Sequence, residues 1–171
     1  AAWVFASRII DSTERAQVLA ATQRAEAAAA VTEQFILRAL DDTATIQILA
    51  QQWLLLDEAG DGPARGQIEQ AMRNVTGDRD ASRLPLASIV ILGPDGASRW
   101  SSSVAFRPFD ARDRDYFQAF AQGYQGLFLT APQVGRGTGA RLVIAAQHLH
   151  DRSAAFGGVV TVGLRPDDLS R

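Results

Sequence analysis

The sequence predicts an α+β domain, one antiparallel sheet covered on one face by a long N-terminal helix. Three observations predict it. From Arg8 to Leu56 there is neither Gly nor Pro, and Ala, Gln, Glu, Arg and Leu dominate, all good helix formers. At Leu86 the apolar period changes, and short runs rich in Val, Ile and Leu alternate with Gly- and Pro-bearing turns, the pattern of strands and hairpins. The last three runs are joined by hairpin-length links, so they are antiparallel neighbours. Five strands are expected between Leu86 and Leu164.

The elements follow in order. Ile46, Leu49, Trp53 and Leu56 recur at spacings of three and four, one apolar stripe of a helix. Val31 and Phe35 begin a similar stripe, and a bend is expected near Asp41-Asp42-Thr43. The earlier half is Ala-rich and weakly amphipathic (Ala20, Ala21, Ala25, Ala27 to Ala30). Such a segment suits a partner helix, so a homodimer through this helix is expected. Residues Asp57 to Pro63 end the helix, and Pro63 fits the first turn of a second one. Its stripe is Ile68, Met72 and Val75, and Gly77 closes it. Residues 1–62 thus read as a signalling and dimerisation helix, and residues 63–171 as the sheet domain.

Leu86 to Leu92 reads as a largely buried strand. Gly93-Pro94-Asp95-Gly96 is a turn, and Ala97 to Val104 the returning strand. Phe117 and Phe120 lie three apart, and Tyr116 and Phe120 four apart, so a helix from Arg112 to Phe120 turns an aromatic face inward. Gly123 stops it. Leu127 to Ala131, Arg141 to Leu149 and Gly158 to Leu164 are three more strands. Residues 135–139 read as a hairpin loop, since they lack the Lys of a phosphate-binding loop and open no helix.

Composition narrows the function. The chain has 171 residues, 47% hydrophobic and 21% charged, enough for a sizeable core. Net charge is −2 and the basic residues, all Arg, are spread along the chain, so no nucleic-acid footprint is present. Without Cys there are no disulfides, thiol nucleophiles or Cys-based zinc sites. His148 and His150 are the only imidazoles and share one strand face. With no third His and no nearby Glu, a metal site is not expected, and the pair reads as a satisfied polar pair at a strand end. No cofactor is expected. No run of about 18 apolar residues occurs. Ser88, Ser101 to Ser103 and Ser153 lie in no Gly-x-Ser-x-Gly elbow, and Asp41-Asp42 and Asp167-Asp168 look solvated or capping, which argues against an enzyme.

The densest chemistry lies in Arg112-Asp113-Arg114-Asp115-Tyr116-Phe117. Together with Val90 to Gly96, Gly126 to Leu129, Arg136 to Gly139, Phe156 to Val160 and Leu164 to Asp167, it resembles a Cache-type sensor domain. This is the PAS-like extracytoplasmic module of bacterial transmembrane receptors such as sensor histidine kinases or diguanylate cyclases. The resemblance spans about Leu86 to Leu169. It implies a periplasmic domain of an inner-membrane protein, tethered to the membrane, with a small ligand between the sheet and the short helix. Here one PAS-like lobe is present.

By the same resemblance Arg114, two residues before Tyr116-Phe117, inherits the role of binding a ligand carboxylate. The departures are Phe109 where amino-acid-binding members have Tyr, Thr161-Val162-Gly163 where an Asp holds the amine, and Ala146-Gln147 where relatives often have Ser-Arg. The first two favour a simple carboxylate or an unrecognised ligand over an amino acid, and the third removes a positive charge and implies a less anionic ligand. The expected ligand-binding set is Arg114, Asp115, Tyr116, Phe128, Thr130, Gln147, Tyr124 and Arg112. Two readings of Arg114 stand side by side. A guanidinium binds a carboxylate bidentately, or it forms an internal salt bridge with Asp110, Asp113 or Asp115. Asp113 reads as the helix N-cap. A ligand-free dimerisation module is the alternative to sensing, and a polar cavity beside Arg114 would favour sensing.

Overall fold

The computed structural model describes residues 42–77 and 86–165. The Ala-rich half of the first helix and its pairing with another subunit lie outside the described residues, and the expected bend near Asp41 falls at their edge, with Asp42 and Thr43 in the helix. We number the elements in chain order: α1 (residues 42–59), α2 (Gly62–Gly77), β1 (Leu86–Leu92), β2 (Ser98–Ser101), α3 (Asp115–Ala121), β3 (Phe128–Leu129), β4 (Gln133–Val134), β5 (Arg141–His150) and β6 (Phe156–Leu164).

The strands form one antiparallel sheet in the order β2-β1-β6-β5-β3, with β4 also on β5. The expected five positions are present, but the outer one holds two short strands. Pro132, which has no N–H to give a ladder, lies between them. Thr130 closes the first piece: its N–H donates to Ile144 O at 3.0 Å and its hydroxyl accepts from Ile144 N–H at 3.0 Å. β6 lies at the centre. Gly158, at φ +137°, comes so close to β1 that a Cβ there would stand 2.1 Å from Leu92 O.

Burial on both faces explains why β1 and β6 read as almost continuous apolar runs. On one face lie α1 and α2. Ile46, Ala50, Trp53 and Met72 are buried with Ile89 and Ile91, each fully buried large side chain contributing about 1.5–3 kcal/mol. Arg73 of α2 stacks over the Trp100 ring at 5.4 Å, and Trp53 Nε1 donates to Glu69 at 3.0 Å, tying α1 to α2. The helices part at Gly60, whose φ of +72° suits a helix terminator. Gln51 makes a two-bond clasp on the end of β5: Nε2 donates to His150 O at 2.7 Å and Oε1 accepts from His150 N–H at 2.9 Å. Gln47 donates to His148 O at 3.2 Å.

Among the described residues, the other face carries α3 and loops. Tyr116, Phe117 and Phe120 pack on Val90, Leu92, Leu142, Ile144, Ala146 and Val159, the inward aromatic face that the spacing predicts. The helix is shorter than expected, beginning at Asp115 rather than Arg112. Residues 112–114 form a turn, and Arg114, extended at φ −79° and ψ 137°, occupies the N-cap without a side-chain cap. Asp113 is therefore not the cap, because its carboxylate is taken by Arg136. The second strand is likewise trimmed from Ala97–Val104 to Ser98–Ser101; Ser102 still bonds Ile89 of β1 through its N–H and its hydroxyl, and the chain leaves the strand after it. Among the described residues no helix is long and apolar enough to cross a membrane.

Candidate functional site

Two clefts open on the α3 face, one at each end of the helix. The first lies at its N-terminus, over Ser88 and Val90 of β1, Thr161 and Gly163 of β6, and Leu142 and Ile144 of β5. Arg114, Tyr116 and the β4–β5 loop roof it. Sequence locality places Arg114 and Tyr116 together, while the hairpin at residues 135–140, closed by Gly135 N–H to Ala140 O at 2.8 Å, brings the loop over them.

The two guanidiniums of this roof are held differently. Arg136 is saturated with anionic and carbonyl oxygen, its Nη1 donating to Asp110 O at 2.6 Å and to Asp113 Oδ1 at 2.5 Å, with Nη2 on Asp113 Oδ2. That hydrogen bond holds the Asp113 carboxyl down at about 2. Arg114 instead donates to two neutral acceptors, Gln133 Oε1 at 2.6 Å and Val134 O at 3.2 Å. The internal salt bridge to an Asp does not form. Burial pushes the Tyr116 phenol up to about 12, against the opposing pull of the Arg114 and Arg136 charges. The internal volume is about 30 Å³, room for a water or two. The Gln133–Val134 segment fills the rest.

The expected ligand-binding residues are dispersed. Arg114 and Tyr116 share this first cleft. Asp115 is exposed and its carboxylate accepts from the Tyr116 N–H. Arg112 is exposed and paired with Asp110 at 2.7 Å. Phe128 packs edge-on against Phe120 and Tyr124, and Thr130 is used in the β3–β5 ladder. Gln147 lies on the opposite face: Ala146 packs under α3, and strand alternation sends its neighbour toward α1 and α2. Gln133 and Arg136 were missed as site residues. Arg136 had a legible signal, a cation among glycines in a hairpin loop, but Gln133 had none.

The second cleft lies beyond the C-terminus of α3 and holds Tyr124 with Phe120, Phe156, His148 and His150. Its volume is about 220 Å³. The two imidazoles meet at right angles, 4.5 Å between centroids. His148 Nδ1 is buried with no hydrogen-bond partner, so this is not the satisfied pair expected. Burial first, then His150, lowers the His148 pKa. Among the described residues no three His, Asp or Glu side chains converge to hold a metal.

The architecture is a PAS-like fold. No family model matches the sequence, and no curated protein matches it significantly. Solved structures supply particular likenesses. The sensor domain of the Vibrio cholerae histidine kinase DctB is 18% identical at a TM-score of 0.59, over 90% of this chain and 59% of that one. The ligand-binding domain of the Pseudomonas aeruginosa amino-acid chemoreceptor PctC, in complex with GABA, is 19% identical at 0.56, over 81% and 60%. An extracellular ligand-binding receptor from Desulfohalobium retbaense is 15% identical at 0.62, over 83% and 25%. The chain thus spans at most about three-fifths of the length of these proteins. All three are sensor or ligand-binding proteins, not catalytic domains.

Proposed function

We propose that this chain is the ligand-sensing part of a bacterial inner-membrane receptor, facing the periplasm, and that it binds a small carboxylate at the first cleft. One observation carries the reading. Arg114 stands at the mouth of a cleft on a sensor fold with only neutral acceptors, Gln133 and Val134 O, on its guanidinium. A carboxylate would replace them with a bidentate ion pair, adding charge–charge attraction and a matching fork geometry that neutral oxygens lack. Because the present volume is about 30 Å³, entry requires the β4 segment to swing away, so binding and loop movement are one event. The GABA complex of PctC, a carboxylate-bearing ligand on the same fold, is in keeping with this.

Relay has a physical route. β5 lines the ligand face through Leu142 and Ile144, and its far end is clasped by Gln51 and Gln47 of α1. A shift of β5 therefore pulls on the helix that the receptor would carry toward the membrane. The Ala-rich segment that precedes it suits a homodimer of such helices.

A thermal-shift screen of dicarboxylates, short fatty acids and amino acids tests the proposal, since a ligand bound only by the folded state raises Tm. The expected result is a responding carboxylate whose effect Arg114→Ala erases, while Gln133→Ala tightens binding by removing the internal competitor. An Arg114→Ala variant that responds like the parent would make Arg114 a purely structural residue.

A further inference from the structure

The second cleft differs from the first in every respect that selects a ligand. It is roughly seven times larger, about 220 Å³ against about 30 Å³. None of its lining residues is Arg, Lys, Asp or Glu. Its walls are rings. Phe120 and Tyr124 stand 5.5 Å apart, tilted by 52°, and Phe120 and His148 stand 6.0 Å apart. Tyr124 is 44% exposed yet fixed, because its hydroxyl donates to Leu127 O at 3.1 Å. That bond turns a surface tyrosine into a rigid wall. The polar lining is the imidazole pair and Gln125, and His148 Nδ1 is buried at the cleft wall with no partner. Such an atom costs stability unless something bonds to it. Burial lowers the His148 pKa and so favours the neutral ring, and His148 offers the cleft an aromatic surface and a hydrogen bond.

We propose that this cleft is a second ligand site, independent of Arg114, that takes an uncharged flat aromatic molecule carrying a hydrogen-bonding group. An anion would find no cation among the lining residues, and an aliphatic chain would leave the His148 nitrogen unpaired. The volume lies below the roughly 300–1,000 Å³ that encloses drug-sized ligands, which limits the ligand to one or two rings. The ring lies against Tyr124 and Phe156, over the buried edge of Phe120, and its polar group approaches His148. The site also has a path to the rest of the molecule, since α1 holds the backbone of both histidines through Gln47 and Gln51.

The chain has only two histidines, so its imidazole NMR spectrum reports this cleft alone. Adenine and indole are the probes, with benzoate as the charged control. Titration of either probe should move both imidazole signals along one saturable curve, and benzoate should bind at least about tenfold more weakly. Tyr124→Ala, a half-exposed position, should weaken the probe about tenfold, the scale of a lost base–aromatic stack. Arg114→Ala, which disables the first cleft, should leave the response unchanged. The proposal fails if neither probe saturates below roughly 10 mM, if benzoate binds as well as indole, or if Tyr124→Ala has no effect. It also fails if Arg114→Ala removes the response, which would mean one shared site.

Discussion

The two faces of the sheet follow opposite rules. Toward α1 and α2, large apolar side chains interlock and the half-buried amide of Gln51 is matched with β5. Toward α3, the cover is one helix of seven residues and its loops, and the gaps at its two ends are the clefts. The same strands serve both faces. The contrast teaches that clefts open where the described residues cover the sheet less, and that the packed face gives them a rigid floor.

The largest expected effect strikes both faces together. Gly158→Ala would drive a methyl into Leu92 O at the β1–β6 junction, and a loss above about 4 kcal/mol is expected. Circular dichroism should show an unfolded chain. A folded variant would mean that β6 can slide against β1, and the rigid-scaffold side of the comparison would break.

Ile91→Ala separates the faces. Ile91 is fully buried toward α1 and α2, and its truncation should cost about 3 kcal/mol in denaturant unfolding. Ligand-induced Tm shifts should persist in the folded fraction. Their loss would show that the sealed face shapes the clefts directly.

Gln51→Leu cuts the clasp on β5. It leaves the His150 N–H and C=O without their α1 partner, at a cost of about 1–3 kcal/mol. The Arg114-dependent ligand should still bind, but amide exchange of α1 should no longer slow on binding. If α1 still responds, coupling runs by another route.

The smallest effect concerns pH. The folded pKa of His148 lies below its ordinary value of 6.5, because of burial and then His150. In the window between those values the unfolded chain binds more protons than the folded one, so stability is full above the ordinary value and declines as pH falls toward the folded one. Facing His148 are Phe120, Tyr124 and His150, with Asp151 beyond it. Between about pH 7.5 and about pH 5.5 the Tm should drop by a few degrees, and His148→Asn should flatten the drop. An equally steep drop in the variant would assign it to other groups.

The apolar period and turn chemistry were enough to place the strands, because both are local. Val and Ile runs between Gly-Pro-Asp-Gly and Gly-rich turns have few alternatives to hairpins, and the Tyr116–Phe117–Phe120 spacing announces an inward aromatic face. Resemblance made Arg114 conspicuous within that frame. Tertiary structure decided the rest. Whether Gln147 faces α3 or α1 depends on a register of one residue, to which composition is blind. Arg114 meets Gln133 across nineteen positions only because the β4–β5 hairpin folds over α3. The edge strand breaks at Pro132, and α3 begins at Asp115 because Arg136 has drawn Asp113 away. The sizes of the two clefts, and the unpaired nitrogen of His148, arise from how α3 and its loops settle on the sheet. Those are properties of long-range packing, which no local pattern encodes.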